Sequence, residues 1–113
     1  LLVVDTMHER KALMAERADA FVALPGGAGT LEELFEAWTW AMLGIHAKPV
    51  AVLDVGGFYA PLLAMVDHMV EAGFVRAAHR QMLLVDDDAD RLLARLAAYA
   101  PPAVERWLTP DEQ

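Results

Sequence analysis

Short apolar runs alternate along the chain with stretches in which apolar residues recur every three or four positions. The run "LLVV" at 1–4 reads as a strand, and 7–18 follows as an amphipathic helix. A second run, "AFVAL" at 20–24, stands before "PGGAG" and reads as the next strand. From Leu31 onward, Leu34, Phe35, Trp38, Ala41 and Met42 keep a helical interval while Glu32, Glu33 and Glu36 take other faces. A helix is therefore predicted there, with Gly44 placed to end it. "KPVAVLDV" supplies a third strand with Pro49 at its start, and Gly56-Gly57 marks a turn. A helix over 59–72 follows, with Leu62, Leu63, Val66, Met69 and Val70 on its apolar side. The last unit is a strand at 82–85 and a helix whose Leu92, Leu93 and Leu96 are predicted to face inward. Asp87 and Asp88 suit the positive end of that helix.

Strand–helix units in succession with short joints predict an α/β fold, a doubly wound parallel sheet with helices on both faces. A chain of 113 residues that is 57% hydrophobic fits one domain with an ample core. Because it opens on an apolar strand with no initiator methionine, 1–100 is expected to be the C-terminal portion of a longer domain, and 101–113 a tail. No apolar run reaches the roughly 18 residues a membrane span requires. With no cysteine and no secretory pattern, a cytoplasmic location is expected. The net charge of −8, with basic residues scattered apart from Arg10-Lys11, argues against nucleic acid as a partner.

In open parallel sheets, ligands bind beyond the carboxyl ends of the strands. That rule selects "DTMHERK", "PGGAGTLEE" and "DVGGFY", and brings the Arg10-Lys11 pair to the glycine loop. Glycines let a backbone approach a ligand closely, and free N–H groups at a helix start favour negative charge, so phosphate is the expected guest. Gly27 and Gly29 match the first two glycines of the dinucleotide fingerprint, but the third falls on Glu32, which argues against NAD. No Gly-Lys-Ser/Thr follows, so a P-loop is excluded as well.

A competing reading exists. Thr30-Leu31-Glu32-Glu33 fits a T-x-x-E capping box worth on the order of 1 kcal/mol, which would set a carboxylate against the helix start and repel phosphate. Distance reconciles the two. From Thr30 to Glu33 a helix rises about 4.5 Å, comparable to the span from a sugar 5′-phosphate to its anomeric carbon. Phosphate in the loop would leave Glu33 facing the sugar, where a carboxylate stabilises the positive charge of N-glycosidic cleavage or activates a water. Arg10 is suited to orient the nucleotide or Glu33, its guanidinium being too basic for an ordinary general acid.

"MHERKALM" at 7–14, "DAFVALPGGAGTLEE" at 19–33 and "TWAMLGIHAKPV" at 39–50 together resemble the Lonely Guy (LOG) family, cytokinin riboside 5′-monophosphate phosphoribohydrolases long labelled lysine decarboxylases. The family signature P-G-G-x-G-T-x-x-E is matched at Pro25, Gly26, Gly27, Gly29, Thr30 and Glu33. The resemblance implies a Rossmann-like fold. It also implies hydrolysis of N6-prenylated adenosine 5′-monophosphate, and often plain AMP, to free base and ribose 5-phosphate. It marks Arg10 and Glu33 as catalytic, and Lys11, Gly26, Gly27, Ala28, Gly29, Thr30, Leu31, Glu32 and Thr39 as substrate-binding. It further implies a homodimer or larger homo-oligomer that needs no redox cofactor, metal or pyridoxal phosphate. The family's N-terminal portion, with another glycine-bearing loop, has no counterpart in this chain. Two alternatives stay open: a non-catalytic binding protein similar to molybdenum cofactor carriers, and a general AMP nucleosidase without a hormone role.

Other conspicuous residues receive plainer readings. His8 and His46 lie near helix ends without a second ligand at metal spacing and read as solvated or capping. Trp38 has core phase, whereas Trp40 is displaced from it and is a candidate for a subunit contact. Asp54 reads as a turn residue, Asp86-Asp87-Asp88 as helix-start acids, and the methionines as core filler.

Overall fold

Three of the apolar runs become the strands of one parallel sheet in the computed structural model, which describes residues 16–101. The strand expected at 1–4, most of the helix at 7–18, His8, Arg10, Lys11 and the tail from 102 lie outside the described residues. The strands are β1 (Phe21–Ala23), β2 (Val50–Leu53) and β3 (Leu83–Asp86), in the order β1-β2-β3. Phe21 stands opposite Val50 and Ala23 opposite Val52; Val50 in turn faces Leu83, and Leu53 faces Asp86. Helix α1 (Ala28–Met42) joins β1 to β2. Helices α2 (Ala60–Glu71) and α3 (Ala77–Gln81) join β2 to β3, and α4 (Ala89–Ala97) follows.

The central strand explains why these runs lack alternation. Val50, Ala51 and Val52 are all at most 1% exposed. Successive strand residues point to opposite faces, so a strand covered on both sides reads as a continuous apolar run. Val50 and Val52 enter a cluster with Leu34, Ala37, Trp38 and Ala41 of α1 and Val66 of α2. Ala51 points the other way and is equally buried, in keeping with a sheet covered on both faces. Full burial of one such aliphatic side chain is worth about 1.5–3 kcal/mol, so the paired strand and α1 faces dominate the stability of this region. Trp38 is core, as its phase predicts: it is 2% exposed, and its indole N–H donates to the His79 carbonyl at 2.9 Å. That bond ties α1 to α3 and satisfies the one polar atom of the ring.

Helix ends follow the glycines. Gly44, at φ 74°, lets its own N–H reach the Ala41 carbonyl and the Ile45 N–H reach that of Trp40, the paired bonds that close a helix through a left-handed residue. Gly73, at φ 87°, repeats the arrangement with Val70 and Met69 at the end of α2.

Three expectations are corrected. Helix α3 was not expected, because five residues are too few to show a period. Met82 caps α3, its N–H donating to the His79 carbonyl, so the strand opens one residue later, at Leu83. Leu93 is 63% exposed, not inward. Leu92 and Leu96 lie four residues apart on one stripe of α4, and Leu93 is turned about 100° away from Leu92.

Asp86 ends β3 at 6% exposure and gathers the start of α4. Arg91 Nε donates to both carboxylate oxygens at 2.9 Å and Arg95 Nη1 to Oδ2 at 3.1 Å, while the Asp88 N–H donates to Oδ1 at 3.0 Å. Asp88 caps α4 by accepting from the Arg91 N–H at 2.9 Å, so the helix-start reading holds for it. The Arg91 guanidinium and the Asp88 N–H hold the Asp86 carboxyl well below the usual carboxylate range. A carboxyl depressed in the folded state adds stability that is full above its unfolded pKa, about 3.9, and drains away as pH falls below it. Urea midpoints of the complete protein should fall as pH drops below about 4, and Asp86→Asn should flatten that fall. An equal slope in Asp86→Asn would show that another group carries it.

Candidate functional site

Beyond β1 the chain runs through Leu24, Pro25 and Gly26 to Gly27, which stands at the N-cap of α1 without a side-chain capping bond. The first intrahelical bond is Leu31 N–H to the Gly27 carbonyl, at 3.1 Å. The N–H groups of Ala28, Gly29 and Thr30 therefore precede it, the donors that a helix start offers outward. Thr30 is the third helical residue, so the capping box is corrected: neither Thr30 nor Glu33 caps this helix. The Thr30 side chain folds back over Gly26 instead. A Cβ added at Gly26 would come within 2.3 Å of Thr30 Oγ1 and 3.0 Å of its Cβ.

This earlier start removes the conflict between acid and anion. The first turn of α1 holds no acidic residue, and Glu32 and Glu33 fall in the second turn, past the region where the helix-end field is concentrated. The three loop glycines also have different reasons. Gly26 is demanded by Thr30, whereas a Cβ at Gly27 or Gly29 would meet no atom of the described residues within 4 Å, and neither has a positive φ. Packing and backbone conformation leave both free to be larger. Small residues at a helix start let a ligand come close to its free N–H groups.

Thr30 and Glu33 line one hollow of about 280 Å³ together with Phe21, Val22 and Ala23 of β1. Glu33 is exposed there. Leu31 spends its N–H on Gly27 and packs half-buried against the core. Glu32 is exposed on the outer face. Thr39 is also exposed, but nine residues beyond Thr30 it lies about 13.5 Å further along the helix and half a turn round. Within one chain it is not brought to the loop.

The neighbouring strand ends add a contact that sequence reasoning missed, made by Tyr59. Asp54 Oδ1 accepts from the Tyr59 N–H at 2.8 Å, the turn role expected of it. Tyr59 is 2% exposed and its hydroxyl donates to the Leu24 carbonyl, so the loops after β1 and β2 are joined directly. Burial pushes its phenol pKa up and keeps the hydroxyl a donor. The only hint in the sequence is an aromatic residue after a double glycine at a helix start. Asp54, Asp86, Asp87 and Arg91 line a second hollow of about 330 Å³, where Arg91 is already paired with Asp86 and with Asp87 at 2.7 Å.

His46 is structural. Its Nε2 donates to the Ala37 carbonyl at 2.9 Å and its Nδ1 accepts from the Lys48 N–H at 3.1 Å, a pairing that requires the neutral ring. Burial pushes its pKa down accordingly. Trp40 is half-buried. Among the described residues no group of three histidine, aspartate or glutamate side chains is placed to hold a metal ion. None of the described helices is long and apolar enough to cross a membrane.

An open parallel sheet with covering helices and a glycine-bearing helix start at its carboxyl edge defines a Rossmann-like α/β protein. The chain belongs to the Lonely Guy family, whose sequence model carries the description "possible lysine decarboxylase" and matches residues 1–96. It is 56% identical over 98 residues to a probable cytokinin riboside 5′-monophosphate phosphoribohydrolase of Oryza sativa subsp. japonica, covering 87% of this chain and 43% of the relative. It is 50% identical over 101 residues to a cytokinin riboside 5′-monophosphate phosphoribohydrolase of Arabidopsis thaliana, covering 89% of this chain and 47% of the relative. The chain thus spans less than half the length of these relatives.

The glycines separate in a substitution series. Gly26→Ala should destabilise the complete protein, because Thr30 must move. Gly29→Ala, inside a helix and clear of the other described residues, should leave stability unchanged or raise it by up to about 1 kcal/mol. Thermal melts of the two variants check this, and a Gly29→Ala loss as large as that of Gly26→Ala would refute the distinction.

Proposed function

We propose that the protein hydrolyses the N-glycosidic bond of adenosine 5′-monophosphates, N6-prenylated ones in particular, releasing the free base and ribose 5-phosphate. The observation that carries this reading is the separation along α1 between a helix start free of acids and a carboxylate one turn further on, with Thr30 and Glu33 both lining the hollow beside β1. The phosphoribohydrolase activity named for the Oryza and Arabidopsis relatives supports it. In this reading the N–H groups of Ala28, Gly29 and Thr30 hold the 5′-phosphate, with Gly26 and Gly27 shaping the approach. Glu33 faces the anomeric carbon.

As the C1′–N9 bond breaks, positive charge grows on the ribose ring and water adds at C1′. The Glu33 carboxylate stabilises that charge and takes the proton of the attacking water, while the departing base takes up a proton. Arg10 and Lys11 bind and orient the nucleotide, and Arg10 also orients Glu33. Leu31 and Glu32 belong to the substrate-binding stretch. Thr39 is too far along α1 to share the phosphate with Thr30 in one chain, so it serves another part of the nucleotide or the site of a second copy in a homo-oligomer. No redox cofactor or metal enters the reaction, and the enzyme works in the cytoplasm.

The deciding assay incubates the complete protein with AMP and with isopentenyladenosine monophosphate and follows ribose 5-phosphate. Glu33→Gln should lower turnover at least about 100-fold while still binding nucleotide, since only the proton-accepting charge is lost. Arg10→Ala should weaken both binding and turnover. Wild-type turnover in Glu33→Gln would remove Glu33 from the mechanism. Tight binding of a pterin phosphate with neither nucleotide cleaved would favour a carrier, and equal cleavage of both nucleotides a general AMP nucleosidase.

A further inference from the structure

We propose that Tyr59, braced by Asp54, is the positioning residue of the glycine loop: its hydroxyl fixes the carbonyl at the exit of β1 and thereby aims the N–H groups of Ala28, Gly29 and Thr30. The inference rests on the reading of that loop as a phosphate seat.

Ala23 is the last residue of β1 paired with β2, so the Leu24 carbonyl has left the sheet ladder. Pro25 follows with no N–H and a fixed φ, which leaves few groups to set the chain's direction before Gly27. The Tyr59 hydroxyl supplies the missing bond from 35 residues away. Its ring belongs to the core cluster, and its backbone is held at both polar groups: the N–H by Asp54 Oδ1 at 2.8 Å and the carbonyl by the Leu63 N–H at 2.9 Å. Asp54 is itself anchored, its N–H donating to the Asp86 carbonyl at 2.8 Å in continuation of the β2–β3 ladder. A line of hydrogen bonds therefore runs from β3 through Asp54 and Tyr59 to the loop.

Leu24 is 57% exposed, so a shift of the chain there disturbs little packing. What is lost is direction. The helix-start donors bind an anion well only when they converge on it, so a small swing at Leu24 weakens binding without unfolding the sheet.

The test uses the complete protein and three variants. Tyr59→Phe keeps the buried ring and deletes the hydroxyl. Asp54→Ala deletes the brace, and Asp54→Asn retains an Oδ1 acceptor. Two quantities are read: backbone amide order parameters at 26–30 against those of β2, and the dissociation constant for ribose 5-phosphate by calorimetry. In Tyr59→Phe and Asp54→Ala the loop order parameters should fall below about 0.6 while β2 stays rigid. The dissociation constant should rise about tenfold, the usual reach of one hydrogen bond. Asp54→Asn should match the wild type. Unchanged loop order in Tyr59→Phe, or a fall shared equally by β2, overturns the proposal. Should the wild type itself fail to bind ribose 5-phosphate, the phosphate reading fails, and the loop order parameters alone decide the role of Tyr59.

Discussion

Burial of both faces of β2 is the constraint from which the rest of this architecture follows. Because β2 pairs in parallel with both neighbours, tight hairpins cannot join them, and the helices that cross back over the sheet are what cover its faces. Each crossing returns the chain to the same starting edge. All three strands therefore end on the opposite edge, where residues 24–30, 54–59 and 86–91 meet although they are distant in sequence. The hydrogen bonds between these segments, from Asp54 to the Asp86 carbonyl and from Tyr59 to the Leu24 carbonyl, exist because the sheet has already brought the strand ends together.

Much of this was legible in the chain. Continuous apolar runs gave the parallel strands, the three-and-four spacing from Leu34 to Ala41 gave the buried face of α1, and Gly44 marked its end. Helix α1 begins three residues before the predicted Leu31, for a physical reason. T-x-x-E is as good a capping signal as any, and periodicity cannot register a helical turn made of glycine and alanine, which have no face to bury. The exposed Leu93 is a related case, since spacing shows that a helix has an apolar side but not how wide a stripe its neighbour covers.

Within the candidate site, the helix-start donors and Glu33 could be named from the motif because both lie on one continuous element. Tyr59 could not. Its role depends on a contact across 35 residues, and nothing local distinguishes a buried tyrosine at a helix start from ordinary core. The buried Asp86 was likewise hidden among three consecutive aspartates, of which only the first is buried, where it accepts from both Arg91 and Arg95.

The direction of α1 and α2 has an electrical consequence. Both run antiparallel to the strands, so their positive ends open on the carboxyl edge, while Gly44 and Gly73 turn the negative ends over the opposite rim. A chain with a net charge of −8 is therefore not uniformly repulsive to anions. Its overall charge is a monopole that salt screens beyond about 8–10 Å, whereas the helix-end field acts at contact distance. Raising ionic strength should then ease the approach of a negatively charged guest more than it weakens its final seat, the reverse of the salt response of a basic nucleic-acid-binding surface.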